Sequence, residues 1–102
     1  MAARYRKKPV VIEAMPWDGT PQAAEPIITW VLDHDGNATY WCRDPKACAR
    51  AGHATGQHDI RLRTLEGDML ARPGWWVVRG IEGEFYAVRP DIFDATYEPE
   101  QE

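Results

Sequence analysis

Cys42, Cys48, His53 and His58 follow one another as C-x5-C-x4-H-x4-H. Two thiolates and two imidazoles complete a tetrahedral set for zinc, and a metal can order a polar segment that packing cannot. Structural zinc sites more often open with two to four residues between their cysteines. Four protein ligands would also leave no open position for catalysis. The plainer reading makes Cys42 a core residue on a strand and leaves Cys48, His53 and His58 in a loop. No cofactor is therefore expected, with zinc-stabilised folding as the alternative.

The second constellation is aromatic. Trp75 and Trp76 are adjacent, so on a strand they must point to opposite sides of the sheet. One can enter the core; the other then faces solvent, a ligand or a partner. Beside Arg79, Glu84, Tyr86 and Arg89, an exposed Trp has the composition of a binding hot spot. It would equally suit a nucleobase on the ring with phosphate held by Arg79 or Arg89. The plain alternative is a second Trp covered by the N-terminal arm or a terminal strand. Trp30 and Trp41 are expected in the core.

Catalysis finds less support. The sequence contains no serine, which excludes a Ser-His-Asp hydrolase and a Ser-based P-loop. Either Cys could pair with His53 or His58, but no motif orients them. The pairs Glu82/Glu84 and Asp91/Asp94 are what sixteen acidic residues produce by chance. Gly67, Gly74, Gly80 and Gly83 are turn glycines, with no G-x-G-x-x-G among them. The chain reads as a non-enzyme.

The elements that must position these residues follow from pattern. Residues 8–14 are rich in β-branched side chains and read as a strand opened by Pro9. The helix is expected at about 25–35, because an earlier start at Thr20–Pro21 would bury Pro26 in its interior. Ile27, Trp30, Val31 and His34 form its apolar stripe, and Gly36 its stop. Residues 38–43 and 60–65 alternate as strands; a short strand follows at 69–71. Residues 75–79 and 84–89 flank Gly80-Ile81-Glu82-Gly83 as a hairpin. Residues 90–94 suggest a helical turn and 95–97 a terminal strand. The sum is α+β: an antiparallel, partly barrel-like sheet of about five or six strands, with one main helix packed on it.

One hundred and two residues make one domain. A net charge of -4 argues against non-specific nucleic-acid binding. The charge is polarised, with Arg4, Arg6, Lys7 and Lys8 at one end and Glu98, Glu100 and Glu102 at the other. Residues 1–7 are expected as a flexible basic arm and 98–102 as an acidic tail. The arm is suited to an acidic partner or a phosphate. No apolar run approaches a membrane span, so a cytoplasmic protein with reduced thiols is expected.

Two groups of blocks carry a resemblance: Arg4-Tyr5-Arg6-Lys7-Lys8-Pro9-Val10-Val11-Ile12-Glu13-Ala14 with Trp17-Asp18-Gly19, and Thr64-Leu65-Glu66-Gly67-Asp68-Met69, Pro73-Gly74, Gly83-Glu84-Phe85-Tyr86, Pro90-Asp91-Ile92-Phe93 and Thr96-Tyr97-Glu98. In this order they resemble a family of small phage and prophage proteins marked by a Pro-Gly-Asp-Tyr-Gly-like motif. Trp75 stands where that motif has Asp, and Ala87-Val88 replaces an expected Pro-Cys, which argues against a catalytic acid there. The resemblance implies a viral origin and the host cytoplasm, and no particular activity. The resulting expectation is an accessory binding protein for a host or phage protein or a small anionic, nucleotide-type ligand. A minor virion or assembly component, oligomeric through the exposed Trp face, is the structural alternative.

Overall fold

A computed structural model describes residues 2–6, 8–46 and 58–100. In chain order these form β1 (Glu13–Pro16), α1 (Pro21–Asp33), β2 (Ala38–Cys42), β3 (His58–Thr64), β4 (Gly67–Ala71), β5 (Trp76–Arg79), β6 (Phe85–Val88) and α2 (Pro90–Thr96). The strands make two antiparallel three-stranded sheets, ordered β1-β5-β6 and β2-β3-β4. The α+β class holds. The single, partly barrel-like sheet does not, because no described strand bridges the two sheets by a ladder.

Helix α1 starts four residues before the expected Glu25. Asp18 accepts hydrogen bonds from both the backbone N–H and the hydroxyl of Thr20, and Thr20 in turn accepts from the Ala23 N–H at 3.1 Å. That cap, with Pro21 in the first helical position, sets the start. Pro26 is carried inside the helix. It and Gln22 both lie on the exposed side, where water is available to the carbonyl Pro26 leaves without a donor.

At the other end the left-handed residue is Asp35, with φ 64°, rather than Gly36. The reason for glycine at 36 is proximity. A Cβ there would lie 2.6 Å from Val31 Cγ1 and 2.8 Å from Phe85 Cδ2. His34, expected on the buried stripe, is exposed, and its Nδ1 lies 2.8 Å from the Trp30 carbonyl oxygen.

The core lies between the sheets and α1. Ile27 and Val31 meet Ile60 and Leu62 from one sheet and Val77, Phe85 and Ala87 from the other. Trp30 packs edge-on against Phe85, with centroids 5.2 Å apart. Trp41 is not in this core. Across β2 the side chains of Tyr40 and Cys42 turn inward, so Trp41 points outward; it is 41% exposed and lies under the Arg61 guanidinium at 4.7 Å.

Two further boundaries moved. Strand β1 covers Glu13–Pro16 rather than 8–14, because its partner β5 is only four residues long and pairs from Glu13↔Arg79 to Pro16↔Trp76. Residues 95–97 form no terminal strand: α2 continues to Thr96, and the Tyr97 N–H still donates to the Phe93 carbonyl.

Candidate functional site

The two adjacent tryptophans do face opposite ways. Trp75 packs against the core, while Trp76 lies on the reverse side of the β1-β5-β6 sheet. There its ring is stacked on Phe93 of α2, 3.9 Å between centroids and 5° between planes. Register places Ala14, Val78 and Tyr86 on the same side, and Val78 is fully buried. The Tyr86 and Tyr97 hydroxyls are 3.2 Å apart. Burial, and then that hydrogen bond, push the Tyr86 phenol above its usual pKa.

The arginines proposed to accompany Trp76 are placed elsewhere. Arg79 follows Val77 onto the core-side face at the end of the central strand, where it donates to Glu13 at 3.0 Å. Arg89, at the start of α2, holds Asp91 through two hydrogen bonds of 3.1 and 2.7 Å. Those bonds keep the Asp91 carboxyl below its ordinary pKa. Glu84 braces the hairpin by accepting the Glu82 N–H at 3.0 Å. Of the six residues expected at the binding surface, Trp76 and Tyr86 share one face, and Glu84 lies near enough to Tyr86 for its charge to act on the phenol; Trp75, Arg79 and Arg89 are engaged elsewhere.

What Trp76 does face is a groove of about 770 Å³, within the usual range for ligand sites. Val10, Val11 and Ile12 form one stretch of its wall, and Ala14, Trp76, Phe93 and Tyr97 line it with them. Asp94, Glu98 and Glu100 supply its charged groups, and no Lys or Arg lines it among the described residues. This wall was hidden in the sequence for a simple reason. Val10 to Ile12 read as strand, so their exposure, 39% at Val10 and 66% at Val11, was not anticipated. Adjacency gave Trp76; nothing local signalled that Phe93 would stack on it.

The cysteine and histidine set is partly assembled. Cys42 stands directly opposite His58 across the β2–β3 ladder, and the His58 ring stacks on Tyr40 at 4.3 Å. Cys42 is half-buried and His58 is buried on a strand, not in a loop. Cys48 and His53 lie outside the described residues. Among the described residues no group of three or more His, Cys, Asp or Glu could hold a metal. No described helix is long and apolar enough to cross a membrane.

No protein-family model, curated protein or solved structure matches this chain.

Proposed function

We propose that this chain is a non-enzymatic accessory binding protein of phage or prophage origin, acting in the host cytoplasm on a protein partner. The origin rests on the ordered residue blocks from Arg4 to Glu98. The observation that carries the binding reading is the Trp76 groove: an apolar, aromatic trough whose charged groups are all carboxylates. Such a trough favours a segment that combines aliphatic or aromatic side chains with lysine or arginine. It disfavours the nucleotide-type version, because phosphate would meet Asp94, Glu98 and Glu100 while Arg79 and Arg89 are engaged with Glu13 and Asp91.

Calorimetric titration with short cationic peptides carrying one aromatic residue tests this directly. They are expected to bind, and Trp76→Ala to weaken binding about tenfold or more, while nucleotides leave the melting temperature unchanged. Equal binding by the Trp76→Ala protein would overturn the groove as the contact surface. A nucleotide-induced rise in melting temperature with no peptide binding would restore the anionic-ligand version.

One observation favours a second reading, structural zinc. Directly opposed residues of an antiparallel pair have Cβ atoms only about 4.5–5.5 Å apart, so Cys42 and His58 can both reach one ion. Cys48 and His53 would complete the set. Protein purified without chelator is then expected to carry zinc near one equivalent by elemental analysis and to lose it in Cys42→Ala. Metal content well below stoichiometry ends this reading.

A further inference from the structure

The groove and the basic arm of this chain are complementary to each other. The groove has three carboxylates, Asp94, Glu98 and Glu100, around an aromatic floor. The arm carries Arg4, Arg6 and Lys8 around Tyr5. Residues 2–6 and 8 are all exposed, with Tyr5 at 92%. Burying its ring against an apolar trough would remove a large aromatic surface from water.

The arm is poorly placed to fill the groove of its own molecule. Val10, Val11 and Ile12, immediately after it, already form one groove wall. Pro9 fixes its own φ and biases Lys8 to extended backbone, and none of residues 2–6 and 8 lines the groove.

We infer that the groove is occupied by the basic arm of a second copy of this chain, in a reciprocal two-fold exchange. Tyr5 enters the apolar trough beside Trp76, and Arg4, Arg6 and Lys8 meet the carboxylates along its rim. Two-fold symmetry makes the exchange self-consistent, since each copy supplies one arm and one groove and the contact closes at two. The proposal rests on the groove being a binding surface and adds the identity of its occupant. It also gives the polarised charge of the chain a role, with unlike ends meeting between copies rather than within one.

Solution mass across a wide concentration range, by light scattering after size exclusion, tests the exchange. The unaltered protein is expected to run as a dimer whose dissociation increases with salt, because the pairs are at the rim. Arg4→Glu/Arg6→Glu/Lys8→Glu is expected to be monomeric, and so is Asp94→Lys/Glu98→Lys/Glu100→Lys. Mixed together, the two variants regain complementarity in both directions and are expected to form a mixed dimer. Near-UV circular dichroism establishes that each variant is folded, and all substituted positions are exposed. A dimer that survives arm reversal, or two monomeric variants that fail to pair on mixing, would overturn the exchange. If the unaltered protein is a monomer throughout yet still binds cationic aromatic peptides through Trp76, the exchange falls and the binding reading stands. Absence of both dimer and peptide binding removes both.

Discussion

Trp17→Ala is expected to destabilise the domain by about 3–5 kcal/mol, a large share of the ~5–15 kcal/mol that holds a typical domain together. Trp17 is only 1% exposed, and it ties three parts of the molecule to one another. Its backbone N–H donates to the Trp75 carbonyl at 3.0 Å, and its carbonyl accepts from Gly74 at 2.8 Å, which fixes the chain leaving β1 against the entry to β5. Its indole Nε1–H donates to the Thr20 carbonyl at 2.8 Å, where α1 begins. Its ring meets Tyr40 of the other sheet edge-on, with centroids 6.2 Å apart. Alanine keeps the backbone bonds and leaves a cavity where helix and both sheets converge. Trp17→Phe is expected to cost distinctly less, since Thr20 O still accepts from the Ala24 N–H and most of the volume remains filled. Urea unfolding followed by far-UV circular dichroism measures both. A loss below about 1 kcal/mol for Trp17→Ala would show that this junction does not organise the fold.

That central role was not visible in the sequence, where Trp17 stands in a turn between Pro16 and Asp18-Gly19. Period-two alternation located β3, and the glycine-flanked loop at residues 80–83 located β5 and β6, each to within a residue or two. The same alternation sets Trp41 on the face opposite Tyr40 and Cys42, so the three cannot share one core. Assigning it to the core followed residue type instead of position. The start of α1 was misread by weighting Pro26 above the Asp18–Thr20 cap; the cap sets where a helix begins, and an exposed proline is tolerated one turn later. The candidate site was half legible. Strand geometry alone separates Trp75 from Trp76, but by the same rule Arg79 cannot share a face with Trp76, and this weakens a phosphate site at once. The groove itself required α2 to fold back over the sheet, a tertiary event with no local signature.

Arg43→Met is expected to be the second most damaging change, at roughly 3 kcal/mol. Asp59 stands opposite Trp41 on the outward side of β3, where alternation would leave a carboxylate in water, yet its side chain is 0% exposed. Arg43 provides its compensation: Nε lies 2.9 Å from both carboxylate oxygens and Nη2 lies 2.7 Å from Oδ1. Methionine would keep much of the aliphatic cover and leave the buried charge without its cation, so the cost is desolvation that nothing offsets. The guanidinium side chain is 28% exposed, which places the loss at the lower end of the range for fully buried pairs. Removing both partners behaves differently. In Arg43→Met/Asp59→Leu no charge is left stranded, and the double variant is expected to recover most of the single-site loss. Urea unfolding of the two single variants and the double variant closes the cycle. Because the carboxylate is buried, the coupling is expected to change little with added salt, unlike that of the exposed Arg89–Asp91 pair. Additive losses, with the double variant no more stable than Arg43→Met, would mean that Asp59 is satisfied from elsewhere and that Arg43 only covers it.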